Sequence, residues 1–325
     1  MDRAALETAL ERTSVNDDGR SGATLERVTL ADGSRVVVKR FDPKIDLVML
    51  ITGDDHGREV RMVRRGVLDG LPPTVRHAAL GGWYDEDAGV LVMRDLGDAV
   101  LDWESVVTPE QARTAMTATA ELHSAYLGAA PAGLTPLDVH LGIFEPRRIQ
   151  PYAGDAIIDF ALRGWELWAE IAPGEVGERV LELALDTSPI AAACARFPAT
   201  FVHGDLATVN MAFEPDRPGC LTLIDWGMAT AGPGALDVGE LLARCAHLFA
   251  VDGPEDLVQL YCEAAGPAYD DDAMRLGLLA GLARLGWNKA LDIADHPDPA
   301  VRERERAALP WWLRQAELAL GTGLV

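Results

Sequence analysis

"HGDLATVNMAFEPDRPGCLTLIDWGMATAGPGALDVGELL", His203 to Leu242, is the stretch on which the reading of this chain turns. Asp205 and Asn210 stand five residues apart in what reads as a loop after a short strand, and Asp225 follows fifteen residues after Asn210, at the end of the apolar run "LTLI". One hairpin therefore presents three oxygen-bearing side chains. Mg2+ prefers such a set, because it takes a few carboxylate or amide oxygens and keeps phosphate oxygens and water as its other ligands. A loop Asp that holds no metal can instead accept the proton of an attacking hydroxyl, a contribution of about 10²–10⁴ in rate. Together the three suit phosphoryl transfer. Asp and Asn also favour turns for local reasons, so each alone carries little weight; the weight lies in their common spacing.

Outward from this stretch the chain has two textures. From about Leu25 to Leu96 it reads as strands around one helix. "TLERVTL" and "SRVVVKRF" are β-branched runs joined by the turn signal "ADG", and "GGWY" and "GVLVMRDL" flank "DEDA" in the same way, so two hairpins are expected. Between them "DDHGREVRMVRRGVLDGLPP" carries Val60, Val63 and Val67 at helical spacing and ends on Gly-Leu-Pro-Pro. After Leu96, stretches such as "PEQARTAMTATAELHSAYLG" and "AIIDFALRGWELWAEIA" space their apolar residues by three and four, which predicts a mostly helical region. The island "ATFVHGD", "NMAFEP", "CLTLIDW" interrupts it with strands. "APAGLTPLDVHLGIFEPRRIQPYAG" has no period and is expected to be a long surface connection.

Composition narrows the function classes. The 325 residues suffice for two lobes, each with its own core. The net charge of −22 is uneven: residues 1–100 carry −4 and residues 101–325 carry −18. Such a field repels nucleic acid and anionic membrane and concentrates a cationic ligand, although acidic surfaces also serve solubility. No apolar run has the length of a membrane span and the N-terminal residues lack the signature of a signal peptide, so a cytoplasmic protein is expected. Cys194, Cys220, Cys245 and Cys262 form no C-x-x-C pair and read as buried thiols.

Read as H-G-D-x-x-x-x-N followed by I-D-W-x-x-A-x-x-G-P-x-x-x-D, the opening stretch resembles the aminoglycoside phosphotransferase and choline kinase group, small-molecule kinases with a protein-kinase-like fold. "AELHSAYLG" is similar to the Leu-His helix end of that group. The resemblance implies an α+β fold of two lobes. Residues 1–96 would be a nucleotide-binding sheet with one helix, and residues 97–325 a helical lobe with the catalytic loop and acceptor site. It implies ATP and Mg2+ as cofactors, Asp205 as catalytic base, Asn210 and Asp225 as metal ligands and Asp237 as an anchor bracing the loop, with His203 structural.

A kinase-like site also needs a strand lysine that pairs with phosphates and with a helix glutamate. Lys39 ends the run "RVVVKRF", Val37 shares its face and could pack on adenine, and Glu59 lies twenty residues on in the predicted helix. By resemblance the carbonyl of Arg94 and the N–H of Leu96 would hold the adenine edge, with Met93 at the back of the pocket. "DDGRSGATLERV" lacks a G-x-G-x-x-G, so Ser21 or nearby backbone N–H groups are the candidates for phosphate contact.

The partner implied is a small hydroxyl-bearing acceptor, met by a monomer or homodimer. An aminoglycoside or other sugar-containing antibiotic leads because of the acidic later region. Choline, a sugar or homoserine would serve the same chemistry, and a nucleotide-binding pseudokinase is the reading from another class. Asn288, Asp292 and Asp295 share a helical face that could line an acceptor pocket, and Trp287, Trp311 and Trp312 could stack on sugars.

Overall fold

The computed structural model describes residues 6–15, 22–85 and 88–325. Its first strands are β1 (Glu11–Ser14), β2 (Thr24–Thr29) and β3 (Arg35–Phe41), followed by helices α1 (Leu47–Thr52) and α2 (Arg58–Arg64). Then come β4 (Val75–His77), β5 (Ala79–Asp85) and β6 (Ala88–Arg94). Five of these strands form one antiparallel sheet in the order β1-β2-β3-β6-β5, so both expected hairpins form. Strand alternation sorts the sheet into two faces. Val28, Val36, Val38, Val90 and Val92 pack on one side. Phe41, Leu91 and Met93 pack on the other with Val60 of α2, and Val37, Leu96 and Ile224 lie against that cluster.

Two elements here escape the sequence pattern. β1 is wholly exposed, without alternation, and gains its place by pairing with β2. α1 is a run, "LVMLIT", with hardly a polar residue to mark a helical period; Asp46 caps it by accepting from Met49 N at 3.0 Å.

The rest is mostly helical: α3 (Pro109–Ala125), α4 (Ala156–Ile171), α5 (Glu175–Leu185), α6 (Ala235–Cys245), α7 (Pro254–Ala265), α8 (Asp271–Asp295) and α9 (Pro299–Leu320). Short strands β7 (Thr200–Val202), β8 (Met211–Ala212), β9 (Leu221–Leu223) and β10 (Thr230–Gly232) interrupt it where expected. β7 pairs with β10, and β9 pairs antiparallel with β8 and parallel with β4. α8 is the central helix, buried nearly all round. It crosses α6 at backbone contact distance, because a Cβ on Gly239 would meet the carbonyl of Gly277 at 2.0 Å and one on Gly281 would meet that of Gly239 at 2.4 Å. No helix among the described residues is long and apolar enough to cross a membrane.

The expected surface connection, residues 130–154, is instead built into the protein. It contains the short helices Leu137–Leu141 and Pro146–Ile149, and His140, Leu141, Glu145 and Ile149 are buried. Glu145 is the reason: its Oε1 accepts from both the backbone N–H and the hydroxyl of Thr187, at 2.8 and 2.7 Å. The partner is 42 residues away in sequence, beyond the reach of any periodic signal.

Candidate active site

The turn after β7 hangs on one carboxylate. Asp237, in the first turn of α6 and fully buried, accepts from His203 N and Gly204 N, both at 2.8 Å, and lies 3.0 Å from His123 Nε2. Burial alone would push Asp237 up, but His123, His203 and the Gly204 N–H overcome it and hold the carboxyl below its ordinary value. His203 lies 3.1 Å from Ile224 O through Nε2 and accepts from Asp205 N at 3.3 Å through Nδ1. With its ring also against Trp226, His203 is committed to the loop's architecture.

Asp205 projects from this loop with its side chain 24% exposed. Asn210 donates through Nδ2 to the Asp205 carbonyl at 2.8 Å and to its Oδ2 at 2.9 Å. Arg244 donates to Oδ1 at 2.6 Å. Behind Arg244 lies a buried chain of charge: Glu240 at 3.2 Å from Arg244, then Arg284 paired with Glu240 and donating to Gly204 O at 3.4 Å. Burial would raise Asp205, yet Arg244, Arg284 and His203 outweigh it and bring the carboxyl down to about 2. Glu240 goes the other way, pushed up to about 7 by burial against the pull of both arginines.

Arg244→Gln should therefore raise the Asp205 pKa, since burial is then opposed by less positive charge. In an NMR titration of the protein the Asp205 carboxyl is expected to move upward by about a unit or more, from below the usual carboxylate range into it. A carboxyl that titrates where the wild type does would show that Arg244 does not set the charge of Asp205.

The sheet supplies the other half of the site. α2 can lie close to it because β5 and β6 carry Gly82 and Gly89 beneath Val60, where a Cβ would come within 3.2 Å of the valine methyls. That approach brings Glu59 to Lys39, with Nζ 3.5 Å from Oε2, and Lys39 Nζ also lies 2.9 Å from Asp225 Oδ1. Burial lowers Lys39, but Asp225 and Glu59 outweigh it, so the ammonium is held charged. Burial raises Glu59 against the attraction of Lys39. The other Glu59 oxygen accepts from Trp226 N at 3.1 Å, which ties α2 to the segment after β9. Asp225 itself has φ 63°, the one non-glycine residue in the left-handed region among the described residues. Such backbone costs of order 1–3 kcal/mol and marks a position the surroundings over-determine.

Lys39 thus meets Glu59 and Asp225, Asn210 meets Asp205, and the two groups are joined where Ile224 N, next to Asp225, donates to Asn210 O at 3.1 Å. Arg94 and Leu96 fall at the end of β6 and just beyond it. Leu96 sits on the apolar cluster with Val37, Met93 and Ile224. The Arg94 side chain is occupied elsewhere, in a two-pronged pair with Glu214 at 2.5 and 3.0 Å. Ser21 lies outside the described residues. Of the acceptor candidates, Trp287 and Trp312 are each 3% exposed and belong to the core, so they are no stacking wall. Trp311 lies partly buried against that core, its indole N–H on Glu255. Asn288 donates to Asp292 at 2.7 Å, one turn beyond Arg284 on α8, and Asp295 pairs with Arg163 at 3.7 Å.

Arg244, Glu240, Arg284 and His140, whose ring lies against Gly204, are the site-adjacent residues that the motif reading missed. A signal existed for two of them: Asp237, Glu240 and Arg244 follow at i, i+3 and i+7, one helical face, directly after the motif. Arg284 and His140 had none, because the contacts that place them are long-range.

The architecture is two-lobed α+β, a five-stranded antiparallel sheet followed by a mostly helical region. The model of the phosphotransferase enzyme family matches residues 14–276, and the chain belongs to that family. The family is one of phosphotransferases. Among solved structures, an aminoglycoside-3'-phosphotransferase of type VIII is 19% identical with TM-score 0.56, over 86% of this chain and 96% of that one. The Streptomyces rimosus aminoglycoside phosphotransferase in complex with ADP and streptomycin is 17% identical with TM-score 0.50, over 82% and 94%. A Plasmodium vivax ethanolamine kinase is 11% identical with TM-score 0.52, over 97% and 85%. At these identities the likeness is one of fold. No curated protein matches the chain.

Proposed function

We propose that the protein transfers the γ-phosphate of ATP, with Mg2+, to a hydroxyl of a small polar molecule, an aminoglycoside or other sugar-containing antibiotic being the leading acceptor. The observation that carries this is the pairing of Lys39 with Glu59 and Asp225 beside the loop on which Asn210 bonds Asp205, the two joined by Ile224 N donating to Asn210 O. A binder without turnover has no use for a hydrogen-bonded, ionised Asp205.

The donor set fits the metal. Asn210 spends its Nδ2 on Asp205, which leaves Oδ1 as its free end, and the Asp225 side chain is 42% exposed. Among the described residues no group of three or more His, Cys, Asp or Glu could hold a metal. Two oxygens suit an ion that brings phosphate oxygens and water with it. Asn210 and Asp225 would hold Mg2+, which when bound neutralises charge on the phosphates. Lys39, kept charged and positioned by Glu59, would pair with the phosphates. Val37, Met93 and Leu96 would cover the adenine, with the backbone of Arg94 and Leu96 at its edge. Asp205 would orient the acceptor hydroxyl and take its proton at a carboxylate oxygen, on a lone pair left free by Arg244 and Asn210.

Electrostatics divides the acceptor side. Arg244 next to the base disfavours an ammonium close to the reacting hydroxyl, whereas Asp292 on α8 and the net −18 of residues 101–325 favour cationic groups farther out. The test is ADP release by the purified protein against aminoglycosides, aminosugars, nucleoside antibiotics, choline and simple sugars, with and without Mg2+. A cationic acceptor should lose kcat/KM steeply with salt, because the Debye length falls from about 30 Å at 0.01 M to about 8 Å at 0.15 M. A flat response would discard the cationic acceptor and keep the kinase. Nucleotide binding with no ADP release from any acceptor would favour the pseudokinase. Equal nucleotide affinity with and without Mg2+ would remove Asn210 and Asp225 as metal ligands.

A further inference from the structure

Behind Asp237 lies a cavity that the catalytic reading does not use. It encloses about 210 Å3 between the end of α3, the start of β7, the Pro233–Gly234 turn, the end of α7 and the first turn of α8. None of Lys39, Glu59, Asp205, Asn210, Asp225 and Arg244 lines it.

Its inner wall is Tyr261, 6% exposed, whose hydroxyl lies 2.9 Å from His123 Nδ1. His123 Nε2 faces the Asp237 carboxylate, so in the neutral imidazole Nδ1 accepts from the Tyr261 hydroxyl, and the phenol oxygen keeps its lone pairs. Gly234 makes room for this pair: a Cβ there would stand 2.4 Å from His123 Nδ1 and 2.8 Å from the Tyr261 hydroxyl. Tyr269 forms a second aromatic wall, its ring centroid 6.5 Å from that of Tyr261 at 61°. Asp270 also lines the cavity, and the remaining wall is mainly apolar, with no lysine or arginine in it.

Two phenol rings set at an angle, a carboxylate and an apolar wall without a cation are the chemistry that receives a positive organic group. Ring faces attract a desolvated ammonium, the carboxylate balances its charge, and an anion would meet repulsion with no cationic partner. We propose that this cavity binds a small organic ammonium ion between Tyr261 and Tyr269, with Asp270 as its counter-charge, at a site separate from the catalytic cleft. The proposal is independent of the phosphotransfer reading.

Calorimetric titration of the full chain with phenyltrimethylammonium tests it, against tert-butylbenzene as the neutral isostere. One equivalent of the cation should bind, the isostere at least tenfold more weakly. Tyr269→Leu should weaken the cation about tenfold, and Asp270→Asn several-fold, both at unchanged melting temperature; the asparagine retains the Oδ1 that accepts from Ala273 N at 2.9 Å and caps α8. Asp205→Asn should leave binding intact. Absence of one-to-one binding, equal binding of the isostere, binding that survives both cavity substitutions, or binding lost in Asp205→Asn would each overturn the proposal.

Discussion

Asp205→Asn is expected to lower turnover by about 10²–10⁴ with nucleotide affinity little changed. The amide keeps the shape of the carboxylate but cannot take the acceptor's proton. It also offers one oxygen where Arg244 and Asn210 now find two, so one of those donors is left facing an NH2 group. Steady-state kinetics with any acceptor found in the ADP-release screen, beside nucleotide titration of the variant, measures both effects. Turnover at the wild-type level would remove Asp205 from the mechanism.

Asp237→Ala should cost both stability and activity. The substitution strips an acceptor from His203 N, Gly204 N and His123 Nε2, all within a buried region. Each orphaned donor costs about 1–3 kcal/mol, so the loss is on the order of several kcal/mol. At roughly 1.5 °C per kcal/mol for a chain of 325 residues, the melting temperature should fall by roughly 5–10 °C. Turnover should fall with it, since the loop bearing Asp205 loses its anchor. A melting temperature within a degree of wild type would mean that the loop is held by other contacts.

The sign of the pH dependence follows from the same shifts. Asp205 and Asp237 are both held below the ordinary value of 3.8 in the folded protein. Their contribution to stability is full above about pH 4 and is lost as pH falls through the folded values, about 2 for Asp205. Glu240 acts in the opposite sense. Its folded value is raised to about 7 from an ordinary 4.5, so what it contributes is present below about pH 4.5 and lost as pH rises through 7.

What the sequence determined by itself was local or fixed in spacing. Short runs flanking turn signals placed β2, β3, β5 and β6, and three- and four-residue spacing placed the long helices, because both signals lie within a few residues of one another. The H-G-D-x-x-x-x-N and I-D-W segments put Asp205, Asn210 and Asp225 on one loop system, and the order of Lys39 and Glu59 matched it. The approach of Glu59 to within 3.5 Å of Lys39 needed the fold: glycines in two strands let α2 come close, and β4 pairs with β9 across 146 residues. The electrostatic setting of Asp205 was likewise decided in three dimensions, since Arg244 lies 39 residues and Arg284 about twice as far along the chain from the loop they charge. The link from His123 to Tyr261 spans 138 residues. Such contacts depend on how α3, α6, α7 and α8 cross, and helix crossings are set by the packing of whole faces, which no short window of sequence contains.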